Sequence, residues 1–213
     1  MNTEFNEDYY ERGVEMGISG YSNYRWMPEL TIPMCYEISE ILKLNDNETI
    51  LDFGCAKGYV VKGFRLLHKQ AYGVDISSYA VGQAPSDVRQ YLDVINPGDN
   101  IPILHSNGLL HYTWILAKDV LEHVPYESID PLLKQLRFRG KGLFVVVPFG
   151  DGKKFMVPSY ELDKTHVIRE DMNWWSSTFE KAGFNVVEKQ YKMKHLKANW
   201  SKWEKGNGFF ILK

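Results

Sequence analysis

The sequence predicts an α/β domain with a doubly wound, mostly parallel sheet that ends in an antiparallel hairpin, on three observations. Strand-like and helix-like segments alternate between residues 49 and 149. Within them, "TILDF" and "AYGVDIS" enclose a glycine turn and one helix, the length of a βαβ unit. Finally, "FNVVEKQYKM" and "GFFILK" are joined by a connection too short for a full crossover helix, so they should pair antiparallel.

Each element has a local reason. Residues 1 to 30 mix Phe5, Tyr9, Tyr10, Tyr21, Tyr24 and Trp26 with charges and read as a mobile or capping segment. Pro28 and Pro33 flank a helix entrance, and from Ile32 to Leu44 the apolar positions are compatible with a helical stripe that stops at "NDNE". "TILDF" is the first buried strand, "VVKGFRLLHK" a helix, and "AYGVDIS" a second strand closing on Asp75. "SYAVGQA" makes a short helix, "VRQYLDVI" a weak third strand, and "YTWILAKD" a fourth that closes on Asp119. Helix "SIDPLLKQLRF" leads to "LFVVVPF", a β-branched and aromatic run buried on both faces. Residues 167 to 182 read as another helix, capped by Gly183, before the closing hairpin. Seven strands result.

The totals exclude several classes. A chain of 213 residues supports one sizeable core, and residues 1–213 are expected to form a single domain. Two cysteines, Cys35 and Cys55, allow neither a disulfide framework nor a four-cysteine metal site, and no metal ligand set is expected. The segment "MNTEFNEDYY" is acidic where a secretory signal is basic and then apolar, and apolar runs are too short to span a membrane. A cytoplasmic protein with no membrane partner is the expectation. A formal net charge of -2 gives no overall attraction to nucleic acid.

The functional signal is "ILDFGCAKGY", a strand that runs into Gly54 and Gly58. In an open parallel sheet, ligands bind beyond the carboxyl ends of the strands, so this turn is where one belongs. Two phosphate-binding patterns fail here. A dinucleotide turn needs glycines at positions held by Ala56 and Tyr59, and in a P-loop Gly-Lys is followed by Ser or Thr, whereas Lys57 precedes Gly58. A nucleoside without phosphates fits better. Asp75 follows Gly54 at close to the ~20-residue spacing expected of a carboxylate that accepts ribose hydroxyls.

"ILDFGCAKGYV", "YGVDISSYA" and "AKDVLEHVP" resemble, in order and spacing, the first, second and fourth motifs of class I S-adenosylmethionine-dependent methyltransferases. The chain is most similar to the type 11/23-like subgroup that reads D-x-G-C-A-K-G, then G-V-D-I-S-x-Y-A, then D-V-L-E-H. "DKTHVIREDMNWWSSTFEKAGF" is similar to a later stretch of that subgroup. The resemblance covers residues 45 to 185, between an N-terminal cap (1 to 44) and the C-terminal hairpin (186 to 213). It implies a Rossmann-like seven-stranded sheet and S-adenosyl-L-methionine as cofactor. Asp52, Gly54, Cys55 and Gly58 would shape the loop around its methionine part, Asp75 would hold the ribose, Ile76 would pack on the adenine, and Asp119 and Val120 would flank the sulfonium. The third motif departs from the family: Asn96 stands where a Gly-Asp pair is usual, with Asp99 nearby, and the connection "PGDNIPILHSNGLLHY" is longer and less acidic than the family's.

Methyl transfer to a hydroxyl or a sugar carbon needs a base. His123, just beyond the fourth strand, is the first candidate and His166 in "DKTH" the second, with structural roles open for both. On one helix, Trp174 and Trp175 cannot both face the core, so one covers the pocket or a neighbouring loop. The tail carries Lys189, Lys192, Lys194, Lys197, Lys202 and Lys205 around Trp200 and Trp203, a pattern shared by single-stranded nucleic-acid binders and by protected sheet edges. In the similar subgroup aromatic and basic residues near the N-terminus close over the cofactor, which makes Tyr9, Tyr24 and Arg25 candidates. The expected activity is methylation of a small acceptor, such as a sugar or another hydroxylated metabolite. A nucleic-acid methyltransferase and a non-catalytic cofactor-binding protein are the alternatives. The sequence is silent on oligomeric state.

Overall fold

The computed structural model describes residues 4–102 and 111–213. Residues 103–110 of the connection that departs from the family lie outside them. Seven strands, β1 (Thr49–Phe53), β2 (Gln70–Asp75), β3 (Leu92–Val94), β4 (Tyr112–Lys118), β5 (Gly140–Pro148), β6 (Val186–Gln190) and β7 (Asn207–Leu212), form one sheet in the order β3-β2-β1-β4-β5-β7-β6. Parallel pairing runs from β3 to β5, with Asp52 opposite Gly73 and Leu116, and β7 is antiparallel to both β5 and β6. The expected doubly wound sheet and its antiparallel hairpin are both present.

Strand alternation divides the core into two layers. From β5, Leu143, Val145 and Val147 face one layer with Leu133, Leu136, Trp175 and Phe179, whereas Phe144 and Val146 face the other with Ile38, Val61 and Phe64. The first layer is covered by α6 (Tyr126–Arg139) and α7 (Met172–Lys181), and the second by α3 (Pro28–Leu42) and α4 (Tyr59–Leu66). The N-terminal segment carries α1 (Glu7–Glu11) and α2 (Gly13–Met16), and α5 (Ser78–Gly82) follows β2.

Several boundaries differ from the sequence reading, each for a local reason. Helix α3 begins at Pro28, the first-turn position where proline's missing N–H costs nothing, and carries Pro33 inside it because Met34, Cys35, Ile38 and Leu42 anchor the following turns in the core. The third strand shrinks to three residues, since it sits at the sheet edge and Arg89–Tyr91 coil into a single turn before it. Helix α7 starts only at Met172. Asp171 caps it by accepting from the N–H groups of Asn173 and Trp174, while Val167 and Ile168 give theirs to the Glu122 carbonyl at 2.8 and 3.1 Å. That commitment ties residues 163–168 to the end of β4.

Candidate functional site

The carboxyl ends of β2, β1 and β4 stand side by side, at the point where the chain turns from winding one way to winding the other. Between β1 and α4 the backbone folds back on β2: the Gly54 and Cys55 N–H groups donate to the Val74 carbonyl at 2.8 and 3.0 Å. Gly54 has a φ of +81°, and a Cβ there would stand 2.6 Å from Val120 Cγ2. At Gly58, φ is +71° and a Cβ would meet Leu92 Cδ1 at 2.5 Å. Both glycines are therefore required by conformation and by close approach. Ala56, with φ of +49°, donates its N–H to Asp75 Oδ2 at 2.7 Å.

Asp75 is 7% exposed, and its other oxygen accepts from the Ser77 N–H at 2.7 Å. Burial raises its pKa, while these backbone donors oppose the rise. An ionised carboxylate offers about four acceptor positions, so two remain for hydroxyl groups. Ile76 follows, half-buried. Asp52 is 4% exposed, and burial pushes its pKa up to about 7, with the Lys118 ammonium pulling downward and Asp75 pushing further up. Asp119, at φ of +54°, lies between two ammonium groups: Lys118 Nζ is 2.6 Å from Oδ2 and Lys197 Nζ 2.7 Å from Oδ1. Burial alone would raise the Asp119 pKa, but the two lysines outweigh it and hold the carboxyl well below its usual range.

Beyond Asp119, one turn at Leu121–His123 meets the segment from Asp163 to Ile168. His123 Nδ1 lies 2.7 Å from Thr165 Oγ1, and the Thr165 hydroxyl gives its single proton to Asp163 Oδ1 at 2.6 Å. His123 must therefore be the donor, which puts its proton on Nδ1 and leaves a lone pair on Nε2. His166 Nδ1 lies 2.8 Å from the Tyr160 carbonyl, an acceptor only, so its Nε2 is also the unprotonated nitrogen. The two rings are 4.6 Å apart between centroids. Burial and the mutual repulsion of the rings lower the His123 pKa to about 4, and burial lowers that of His166. Glu122 is 1% exposed, neither of its oxygens has a hydrogen-bond partner among the described residues, and burial raises its pKa well above normal.

The N-terminal segment covers these strand ends. Tyr9 donates its hydroxyl to Asp163 Oδ2 at 2.7 Å, Ser77 Oγ donates to the Phe5 carbonyl at 2.6 Å, and Lys57 Nζ donates to the Tyr24 carbonyl at 2.8 Å. Phe5 packs edge-on against His123, and Tyr9, Tyr10, Tyr21 and Tyr24 cluster with Tyr79 and Ala56. The segment is a cap. Tyr9 and Tyr24 lie within it, and Arg25 is exposed.

The structure brings Asp52, Gly54, Cys55, Gly58, Asp75, Asp119, Val120, His123 and His166 to this one end of the sheet. Asn96 is exposed beyond β3, and its side-chain amide donates to Asp99 Oδ2 at 2.8 Å within a local turn. Trp175 enters the core, and Trp174 packs edge-on against Tyr126. The tail lysines Lys189, Lys192, Lys202 and Lys205 are exposed, with surface contacts to Ser176, Glu204, Trp203 and Tyr191. The sequence reading does not place Lys118, Glu122, Asp163, Thr165 or Lys197 at the site. The histidine spacings in "LEH" and "DKTH" signalled that two loops carry polar chemistry, but nothing local announces that they meet.

The fold is that of class I S-adenosylmethionine-dependent methyltransferases. The chain belongs to the family described as "Methyltransferase domain", whose model matches residues 29–189. No curated protein matches the chain in sequence. Among solved structures it is similar to a SAM-dependent methyltransferase from Archaeoglobus fulgidus, with a TM-score of 0.63, 15% identity, and coverage of 88% of this chain and 94% of the other. A methyltransferase from Clostridium acetobutylicum aligns at a TM-score of 0.60 with 11% identity, over 88% and 92% of the two chains. The glycopeptide N-methyltransferase MtfA complexed with sinefungin aligns at 0.59 with 10% identity, over 86% of each. At these identities the likeness speaks for the fold. Among the described residues no helix is long and apolar enough to cross a membrane.

Proposed function

We propose that the protein methylates a small hydroxylated acceptor, such as a sugar. S-adenosylmethionine supplies a methyl carbon already bonded to a positively charged sulfur, so the chain's own work is binding, alignment and exclusion of water. The residues present fit that cofactor: Asp75 has acceptor positions left for ribose hydroxyls, Ile76 would offer an apolar face to the adenine, and the Gly54–Gly58 turn would border the methionine part. Asp52 would hold the amino group of the methionine arm, and Val120 and Asp119 would lie on the side of the sulfur.

The observation that carries the small-acceptor reading is the cap. Phe5 and Tyr9 close directly over His123 and Asp163, which favours an acceptor that fits beneath them over a polymer laid across an open groove. The acceptor proton leaves on the side of Glu122, His123 and His166.

Calorimetry with S-adenosylmethionine, followed by a screen of acceptors for S-adenosylhomocysteine release, tests this reading. The expected result is one cofactor site per chain and turnover with a small hydroxylated compound. His123→Ala should lower kcat while cofactor affinity stays within about twofold. Saturable cofactor binding without turnover on any acceptor would refute catalysis, and turnover that requires RNA or DNA and collapses with salt would refute the small acceptor.

A further inference from the structure

We propose that Glu122, His123 and His166 form a binding site for one divalent transition-metal ion of the Zn2+, Mn2+, Fe2+ and Co2+ class. One potential ligand atom from each residue lies within 4.8 Å of the other two. His166 Nε2 is 3.9 Å from Glu122 Oε1, too far for a hydrogen bond and close enough for both atoms to share an ion after a small contraction.

Three features separate this group from an ordinary buried polar cluster. Both imidazoles are held from behind through Nδ1, His123 by the Thr165 hydroxyl that Asp163 in turn orients, and His166 by the Tyr160 carbonyl. That is the outer arrangement metal-ligating histidines need, with the proton fixed on one nitrogen and the lone pair presented on the other. Glu122 is a buried carboxyl with no hydrogen-bond partner among the described residues, a costly condition that a cation at this position would relieve. Third, the Glu122 carbonyl accepts the Val167 and Ile168 N–H groups, so the loops that supply the three side chains are bolted together before any ion arrives. Asp119 is already matched by Lys118 and Lys197 and is left out of the ligand set.

Two imidazoles and one carboxylate favour borderline transition metals over Mg2+ or Ca2+, which prefer all-oxygen sites. Three protein ligands also leave open positions. The ion's role rests on the methyl-transfer reading above: an acceptor hydroxyl bound there releases its proton to solvent, and its electron pair attacks the methyl carbon as the carbon–sulfur bond returns its pair to sulfur. Binding of the ion itself does not depend on that reading.

The test is titration of chelator-stripped protein with CoCl2, followed by visible absorption. The expected result is one Co2+ per chain, with affinity reduced at least ~tenfold in Glu122→Gln and in His166→Ala, and about 10–100-fold in Thr165→Val, which removes the hydroxyl that links His123 Nδ1 to Asp163 and leaves the three ligands in place. Cofactor affinity, measured by calorimetry on the same samples, should not change. No Co2+ uptake by the unaltered chain, or uptake indifferent to these substitutions, overturns the proposal. Should the variants fail to fold, paramagnetic broadening by Mn2+ in the unaltered chain decides: ring signals of two of its six histidines should be lost, and uniform or absent broadening overturns the site. Failure of S-adenosylmethionine to bind would instead remove the cofactor reading and leave the metal result standing.

Discussion

Asp52 makes cofactor affinity depend on pH in a way that can be worked from the structure. Its pKa stands at about 7 because burial outweighs the attraction of Lys118, with Asp75 adding repulsion. Keeping that carboxyl ionised in the free protein costs on the order of 4 kcal/mol relative to water. A cationic amino group placed beside it favours the ionised form, so binding must expel whatever proton Asp52 holds. The dissociation constant should then rise about tenfold between pH 8 and pH 6, with about one proton released on binding at pH 6 and almost none at pH 8. Stability of the free protein runs the opposite way, because the folded state holds this proton more tightly than the unfolded chain does. The Asp52 contribution is full below about pH 4 and is lost as the pH climbs through about 7. Calorimetry in two buffers of different protonation enthalpy measures both affinity and proton count. Asp75, Glu122 and His123 are shifted too, so the comparison with Asp52→Asn isolates the group: that variant should lose most of the tenfold change and have a higher melting temperature at pH 8. A wild-type profile without slope, or the same slope in the variant, refutes the reasoning.

Asp75→Ala removes a charged acceptor for the ribose and should weaken cofactor binding by ~1–3 kcal/mol in a titration, with unchanged affinity placing the ribose elsewhere. Gly54→Ala forces a side chain into a left-handed backbone 2.6 Å from Val120 Cγ2 and should cost about 1–3 kcal/mol of unfolding free energy. Adding Val120→Ala should restore part of that loss in a double-mutant cycle, and strict additivity would show that the contact is not the cause. Lys197→Met leaves Asp119 buried with Lys118 alone and should destabilise by about 3–5 kcal/mol in denaturant unfolding. The double variant Lys197→Met with Asp119→Asn should be less destabilised than the single one.

What could be read from the sequence follows the range of the physics involved. Asp52, Gly54 and Asp75 were legible because a βαβ unit places its first turn and its second strand end side by side by construction. The hairpin was legible because its connection excluded a crossover helix. Lys197 was not, since a lysine in a charged tail looks solvated until the fold carries it to a carboxylate 78 residues earlier. The start of α7 was misplaced because the helical pattern says nothing of the N–H groups of Val167 and Ile168 being claimed by Glu122. The third motif fell short for a related reason. Asn96 occupies the expected position along the chain, but Asp99 captures its amide, a choice made by the four-residue turn 96–99 rather than by strand register.

The balance of charge at the sheet end explains why two carboxyls are left unsettled. Asp119 is matched by two ammonium groups, and Asp75 by two backbone N–H groups. Burial raises the pKa of both Asp52 and Glu122, a destabilising condition that an added cation would relieve. On the proposed reading, one cation would be the amino group of the methionine arm, at Asp52, and the other the metal ion, at Glu122. The two positions lie on different elements, the first on β1 and the second in the turn after β4, so they can be emptied separately. Asp52→Asn should therefore alter the pH profile of cofactor binding without affecting Co2+ uptake, and Glu122→Gln should do the reverse. A substitution at either position that abolished both would mean a single cation site, with one of the two acids acting only through the other.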